Sequence, residues 1–227
     1  ILEKYKNFNL SYFIDIEDDL DNISYLLNHD TTYGWLDHKF TNTKETFKVG
    51  TNKIRFIQID DYSKLNWSEL EFDILIDSSG VNRDWSRINE LCNEHNKKVI
   101  ITHHPKNFSG SYFVEGISID SIKSKVISAS ICDSVGIAPV LSIIDNFEKI
   151  SNASIVSLHP WLSYQNLVDG SVRSISNPGH NWNDYALGRA STESLIPKQT
   201  SIKEALRDLL PDHIKISAMS FRTPTSI

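Results

Sequence analysis

The sequence predicts an α/β fold in its first part and an α+β arrangement with an antiparallel or mixed sheet in its second part. Over residues 1–130, short apolar segments that end in turn residues alternate with segments of helical spacing, the pattern of parallel strands joined by covering helices. Over residues 131–227, the strand-like segments are longer and alternate in hydrophobicity, which is typical of a sheet with helices on one face. We therefore expect two domains that meet near Ser130.

The first part contains two helical segments and several short strands. The segment 18–28 places Leu20, Ile23 and Leu27 at spacings of three and four residues and has acids in its first turn, which predicts an amphipathic helix. A second, more polar helix is predicted over 84–95. Apolar runs that end at polar or turn residues predict buried strands over 9–15, 53–59, 72–77, 98–102 and 126–130.

The second part begins with a helix directly after the last of these strands. Ile137, Leu141 and Ile144 recur at helical spacing within it and predict one apolar face. The remaining predicted elements are strands over 153–159 and 214–221, a helix over 200–210 and a loop-rich segment over 171–184.

Composition excludes several classes of partner. The chain has 23 basic and 29 acidic residues and a formal net charge of -6, which argues against nucleic-acid binding. No apolar run approaches the roughly 20 residues of a membrane helix, so we expect no membrane association. Two cysteines are too few for a disulfide framework, which favours a reducing, cytoplasmic location. Cys92 and His95 have a C-x-x-H spacing that no second pair completes, so we expect no metal site.

One of the two cysteines, Cys132, lies where a predicted strand passes into a predicted helix. The positive end of a helix dipole favours the thiolate form, and free backbone N–H groups there can hold an oxyanion. A thiolate at this position can attack a carbonyl, and His159, at the end of a later strand, can act as its general base. The position alone leaves an alternative equally open, in which Cys132 is a small apolar filler beneath the helix.

Anion-binding candidates lie near the C-terminal end of the sequence. Arg222 follows an apolar strand and can clamp a phosphate or carboxylate, although a surface ion pair is the commoner role. Thr200 and Ser201 precede Glu204, and the S-x-x-E spacing predicts a capping box. Helix capping is a sufficient role for these two residues, and anion binding at the same helix N-terminus would be a further one.

Several segments in one order resemble the phosphorylating glyceraldehyde-3-phosphate dehydrogenases. SASICDSVGIAP at 128–139 resembles that family's S-N-A-S-C-T-T-N-C-L-A-P motif, and SLHPWLSYQ at 157–165 resembles T-V-H-A-Y-T-x-x-Q. RASTESLIP at 189–197, with Thr200 after it, resembles R-A-A-A-x-N-I-I-P-x-x-T-G, and AMSFRTP at 218–224 resembles A-x-R-V-P. LLNHDTTYG at 26–34 and DILIDSSG at 73–80 extend the resemblance into the first part.

The resemblance implies a Rossmann NAD-binding domain over 1–130, incomplete at its N-terminus, and a catalytic domain over 131–227, incomplete at its C-terminus. It places Cys132 and His159 on the family's catalytic cysteine and histidine, and Arg222, with Thr200 and Ser201, in the substrate-binding positions. The implied activity is NAD-dependent oxidation of a phosphorylated aldehyde through a cysteine thiohemiacetal and an acyl-enzyme. The implied assembly is a homotetramer.

Only some of the family's cofactor-binding residues have counterparts in this sequence. Asp15 ends a predicted strand and can accept a hydrogen bond from the adenosine ribose, with the register one residue from the family aspartate. Thr102 ends another predicted strand, near the expected nicotinamide position. Asp60 stands where the family has an arginine beside the adenine, which disfavours NADP.

The departures from the family centre on its phosphate sites. Asp133 replaces the threonine after the nucleophile, Val135 replaces an asparagine, and Leu162 replaces the threonine of the histidine loop. A carboxylate at position 133 would repel phosphate and oppose thiolate formation, or would simply be a favourable acid in the first helical turn. Hydrolysis of the thioester, or another substrate, therefore becomes plausible. The alternative is a catalytically impaired family member that acts as a binding or assembly protein.

The resemblance also sets expectations for the ends of the chain. The glycine-rich G-x-G-x-x-G turn is expected just before Ile1, and further strands and a helix are expected after Arg222. We therefore expect these residues to be part of a longer chain, or else a remnant that pairs with another subunit.

Overall fold

The computed structural model describes residues 8–117, 122–162, 165–170, 185–198 and 200–224. The chain forms two compact units, residues 1–72 and residues 73–227, and this division lies within the first of the two predicted domains. The predicted loop-rich segment at 171–184 lies outside the described residues. None of the helices in the described part of the chain combines the length and the apolar character needed to cross a membrane.

Over its described residues, 8–72, the first unit contains one helix, a four-stranded sheet and a short two-stranded ribbon. Its elements are β1 (Tyr12–Asp15), α1 (Leu20–Asn28), β2 (His29–Asp30), β3 (Gly34–Trp35), β4 (Phe40–Asn42), β5 (Thr46–Val49), β6 (Asn52–Gln58) and a 3₁₀ turn at Tyr62–Lys64. The sheet has the order β1-β6-β5-β4. Leu20 and Ile23 of α1 pack against Phe40, Phe47 and Ile54 of the sheet, which places the core of this unit between helix and sheet.

The sheet of the first unit is mixed, whereas the β-α-β rhythm predicts a mostly parallel one. Only β1 and β6 pair in parallel, and β4, β5 and β6 form an antiparallel meander. The connection between β5 and β6 consists of Gly50 and Thr51, which is far too short for a parallel crossover. Gly50 has a φ of +57°, the left-handed conformation that such a two-residue hairpin turn requires.

The first sheet of the second unit is parallel throughout, as the sequence predicts. Its elements are β7 (Ile74–Asp77), α2 (Trp85–Glu94), β8 (Lys98–Ile101), β9 (Ser111–Tyr112) and β10 (Val126–Ser128), and the strand order is β7-β8-β10-β9. Val99, Ile101 and Val126 are buried in this sheet, and α2 buries Ile88 and Leu91. The two-residue strand β9 has no counterpart among the predicted elements.

The second sheet of this unit is mixed and carries helices on one face, which confirms the predicted fold class. Its elements are α3 (Cys132–Phe147), β11 (Asn152–Pro160), a 3₁₀ turn at Tyr185–Gly188, β12 (Ile196–Lys198), α4 (Ile202–Arg207) and β13 (Lys215–Thr223). β13 lies between β11, with which it is parallel, and β12, with which it is antiparallel. Ala138 of α3 and Ile202 and Leu206 of α4 pack together with Ile155 and Ala218 of the sheet.

The register of this sheet aligns three chemically active side chains. His159 of β11 lies opposite Arg222 of β13, and Arg222 lies opposite Ile196 of β12. Because side chains alternate along a strand, His159 and Arg222 share the sheet face that carries Ile155 and Ala218, the face beneath the helices. Lys198 is two residues from Ile196 and therefore shares that face, diagonal to Arg222.

Candidate active site

The site begins at the turn between β10 and α3. Ser130, two residues before Cys132, has a φ of +61°, which is uncommon for a residue with a side chain. Its backbone N–H donates to the Ser128 hydroxyl at 3.0 Å, and that hydroxyl donates to the His103 carbonyl at 2.7 Å. These bonds hold the turn in its strained conformation. Backbone strain of this kind clusters at functional sites because the surrounding structure has to maintain it.

Cys132 is the first residue of α3, and its side chain is exposed. The helix cap at Ile131 provides no side-chain hydrogen bond, so the amide N–H groups of the first turn are not satisfied by a capping side chain. This exposure contradicts the alternative in which Cys132 is a filler beneath the helix. Cys92 is the buried cysteine instead, with 0% exposure, in the apolar face of α2.

The side chains of Cys132 and His159 meet through Asp133. The His159 Nε2 atom lies 3.2 Å from Asp133 Oδ1, and the Cys132 Sγ atom lies 3.9 Å from Asp133 Oδ2. The thiol sulfur, a carboxylate oxygen and an imidazole nitrogen all lie within 4.8 Å of one another. The Asp133 side chain is 11% exposed and that of His159 is 21% exposed, so both are largely shielded from solvent. The structure thus brings together the two residues that the sequence selects for catalysis.

The contact of Asp133 with both partners is a feature that sequence reasoning did not find. The sequence identifies Asp133 as a departure from the family and assigns it either to phosphate repulsion or to helix stabilisation. In the structure, its carboxylate bridges the thiol and the imidazole. The signal in the sequence was a carboxylate directly after a cysteine at a helix start, but the direction of the side chain depends on the position of β11.

Two cations lie on the same sheet face as His159. Arg222 is 5% exposed, and its Nη1 donates to the Pro160 carbonyl at 3.3 Å. The pKa of Lys198 is lowered to about 8: burial lowers it most and the positive charge of Arg222 lowers it as well, whereas interactions with Cys132 and Asp133 raise it. Sequence reasoning missed Lys198, because β12 has only three residues and its pairing with β13 is not visible in the sequence.

Thr200 and Ser201 have local roles at the start of α4. The Thr200 hydroxyl accepts the Ile202 N–H at 3.2 Å, and the side chain of the N-cap residue Ser201 makes no capping bond. The predicted capping box is therefore wrong, because the Ser201 hydroxyl caps no backbone N–H and the Thr200 hydroxyl accepts one instead. α4 covers six residues rather than the predicted segment 200–210, which leaves little dipole for anion binding. The described contacts connect neither residue to Cys132 or His159.

Asp15 and Thr102 lie at the carboxyl ends of parallel strands, one in each unit. Asp15 ends β1 and accepts the Glu17 N–H through Oδ1 at 2.9 Å, and it is half-buried. Thr102 follows β8, is exposed, and donates its N–H to the Asp77 carbonyl at 3.0 Å. The crevice outside such strand ends is the ligand-binding place of open α/β sheets, and a carboxylate there fits a ribose hydroxyl. Each of the two strand ends, taken by itself, is therefore a position of the kind at which ligands bind.

Cys132, Asp133 and His159 also form a group of three metal-ligand types within the described residues. Sulfur, carboxylate oxygen and imidazole nitrogen are donors that zinc accepts. Lys198 carries a positive charge that interacts electrostatically with Cys132 and Asp133, and a bound cation would be repelled by it. The positive charge of Lys198 therefore weakens the binding of a metal ion by this group.

Comparison with known proteins identifies the family. Residues 4–85 match the family model described as the glyceraldehyde 3-phosphate dehydrogenase NAD binding domain, and residues 131–227 match the model of the C-terminal domain of the same enzyme. The matched first domain indicates NAD as the cofactor.

Two curated relatives show how similar the chain is and how much of them it covers. Glyceraldehyde-3-phosphate dehydrogenase 1 of Kluyveromyces lactis is 29% identical over 208 residues, 91% of this chain and 60% of the relative. Glyceraldehyde-3-phosphate dehydrogenase 2 of Staphylococcus aureus is 27% identical over 209 residues, 90% of this chain and 58% of the relative. The chain thus spans about three fifths of the length of these relatives. It belongs to the glyceraldehyde-3-phosphate dehydrogenase family.

Proposed function

We propose that the chain carries the catalytic centre of an NAD-dependent aldehyde dehydrogenase that works through covalent attachment to Cys132. The observation that supports this most strongly is the meeting of an exposed thiol at a helix start with an imidazole, with the reacting atoms within 4.8 Å. The strained turn at Ser130 and the uncapped start of α3 support it further.

In the first step, the Cys132 thiolate attacks the aldehyde carbon and forms a thiohemiacetal. The developing oxyanion lies near the first turn of α3, whose N–H groups are available to hold it. His159, at the end of β11, then removes the hydroxyl proton of the thiohemiacetal as a general base. NAD, when bound, supplies the acceptor for the hydride that leaves the same carbon, and a thioester remains on Cys132.

The substrate of this proposal is a phosphorylated aldehyde. Arg222 lies on the same sheet face as His159 and brings a permanent positive charge to the site, which suits a phosphate group. Thr200 and Ser201 are the further substrate contacts of the proposal, and Asp15 and Thr102 are its cofactor contacts. We also propose that the NAD-binding domain covers residues 1–130 and the catalytic domain residues 131–227. The proposed assembly is a homotetramer, and the proposed location is the cytoplasm.

One observation favours a second candidate function, a family member with impaired chemistry that acts as a binding or assembly protein. The carboxylate of Asp133 lies 3.9 Å from the Cys132 sulfur, and a negative charge there opposes the thiolate. An assay of NADH formation with a panel of phosphorylated and unphosphorylated aldehydes separates the two candidates. We expect NADH with at least one phosphorylated aldehyde, together with rapid alkylation of Cys132. No NADH with any aldehyde and ordinary thiol reactivity would favour the binding protein.

A further inference from the structure

The carboxylate of Asp133 lies where the group that releases the acyl intermediate must approach. Its two oxygens contact the thiol sulfur at 3.9 Å and the imidazole nitrogen at 3.2 Å, and the side chain is largely shielded from water. Any nucleophile that attacks a thioester on Cys132 with help from His159 therefore comes close to this carboxylate. The sign of the charge on Asp133 then decides which nucleophiles can do so.

One of the two cations of the site, Lys198, already interacts with this resident anion. Lys198 and Arg222 lie diagonally on one sheet face, and Lys198 interacts electrostatically with Asp133 and Cys132. An incoming phosphate would need these cations, but it would have to share them with Asp133. Like charges in a partly buried site repel much more strongly than in bulk water. Neutral water meets no such repulsion and can donate a hydrogen bond to the carboxylate.

We propose that Asp133 excludes inorganic phosphate from the acyl-enzyme, so that the acyl group on Cys132 is released to water as a carboxylic acid. This inference rests on the proposed function, since it needs an acyl group on Cys132. It concerns the acceptor of that group and therefore specifies the product of the reaction.

The release step balances without a further redox partner. The oxygen of water attacks the thioester carbon while His159 takes one of its protons, and the carbon–sulfur bond breaks with its electron pair returning to Cys132. The products are a carboxylic acid, which ionises, and the free thiolate. The carbon has already been oxidised when it lost its hydride, so hydrolysis changes no oxidation state. Asp133 accepts the hydrogen bond of the water or of the protonated imidazole throughout.

An activated aryl ester tests this step without a cofactor or an aldehyde. p-Nitrophenyl acetate acylates a reactive thiol, so the burst of nitrophenolate reports acylation of Cys132 and the following steady rate reports release. The measurement is made with and without inorganic phosphate, at an ionic strength held constant with chloride. Acetate and acetyl phosphate are quantified as the two products.

In the unmodified chain, we expect a burst, a steady rate that phosphate does not change, and acetate as the product. In Asp133→Asn, where Lys198 loses its resident anion, we expect phosphate to raise the steady rate about tenfold, with acetyl phosphate as the product. The double variant Asp133→Asn with Lys198→Gln should lose most of this stimulation. Asp212→Asn and Lys203→Gln, at exposed positions, serve as matched controls for the loss of each charge.

The outcomes separate the two proposals. A burst followed by phosphate-stimulated release of acetyl phosphate in the unmodified chain would overturn the inference and leave the proposed function intact. The absence of any acylation of Cys132, seen as nitrophenolate release no faster than in Cys132→Ser, would overturn the proposed function and this inference with it. The product of the unmodified chain identifies the acceptor whether or not Asp133→Asn folds. The role of Asp133 is tested by Asp133→Asn and by a second neutral variant, Asp133→Ser, and release that stays insensitive to phosphate in both folded variants would overturn it.

Discussion

The two cysteines of the second unit lie in helices, yet their surroundings are very different. Cys92 is buried in the apolar face of α2, and this burial raises the pKa of its thiol to about 11. Cys132 opens α3, is exposed, and contacts a carboxylate that also contacts an imidazole. The difference predicts a structural role for Cys92 and a reactive thiol at Cys132, because thiol reactivity depends on exposure and on neighbouring charges.

The replacement of each cysteine by serine should separate these roles most clearly. Cys132→Ser should lower NADH formation by about a thousandfold or more, because the covalent step loses its nucleophile. Cys92→Ser should keep nearly the full rate per folded molecule. The rates are measured after a check of folding by circular dichroism. Equal losses in the two variants would contradict the assignment of Cys132.

Alkylation sharpens the same comparison without a substitution. Because burial holds the pKa of Cys92 near 11, about one molecule in ten thousand carries its thiolate at pH 7. Iodoacetamide should therefore label Cys132 at least a hundredfold faster than Cys92 in the folded chain. Peptide mass spectrometry gives the two rates, and unfolding in urea should abolish the difference. Faster labelling of Cys92 than of Cys132 in the folded chain would contradict the prediction that Cys132 is the more reactive thiol.

The loss of the imidazole tests the partner of Cys132. His159→Gln should reduce the rate of NADH formation by about a hundredfold, because general base catalysis typically contributes this much. The acid limb of the pH–rate profile should change as well, which a purely structural effect would not cause. Ser154→Ala, at an exposed position on the same strand, is the control. An unchanged pH profile in His159→Gln would remove His159 from the proton transfer.

The opposite end of α3 shows what a structural carboxylate looks like. Asp145 has a side chain that is 5% exposed, and it accepts bonds from His213 Nε2 at 2.8 Å, Lys149 Nζ at 2.9 Å and the Ile150 N–H at 2.9 Å. These bonds, the one from His213 first, lower the pKa of Asp145 below its ordinary value. Asp145 thus ties the end of the helix to the residues that follow it and to the segment before β13.

Asp145→Asn should therefore affect stability rather than chemistry. We expect a lower free energy of unfolding at pH 7, because His213, Lys149 and the Ile150 N–H lose a charged acceptor. A depressed folded pKa stabilises the native state above the unfolded value of about 3.9, and this stabilisation disappears as the pH falls below it. The free energy of unfolding in urea should therefore differ between the unmodified chain and Asp145→Asn at neutral pH, and the difference should shrink towards acid pH. A difference in the free energy of unfolding that does not change with pH would contradict a stabilising role for the charge of Asp145.

Local patterns made part of this architecture predictable. The spacing of apolar residues predicted α1 and α3, and the strand–helix junction placed Cys132 at a helix start. The antiparallel meander of β4, β5 and β6 was missed, because its register depends on the two-residue turn at Gly50 rather than on periodicity.

The charged surroundings of the thiol were harder to predict than its position. Lys198 belongs to a three-residue strand, and its place near Arg222 follows from pairing between segments some twenty residues apart. The bridging position of Asp133 depends on where β11 ends relative to α3, which is a tertiary contact. Sequence reasoning therefore selected the two candidate residues that the structure brings together, but not the residues that set the charge around them.

The most direct test of the central claim is to trap the covalent intermediate. The chain is incubated with NAD and a phosphorylated aldehyde that it oxidises, quenched in acid within the first turnover, and digested for mass spectrometry. We predict one equivalent of NADH and one acyl group, on Cys132 alone. NADH formed in the first turnover without an acyl adduct on Cys132, or with an adduct on Cys92 instead, would contradict it.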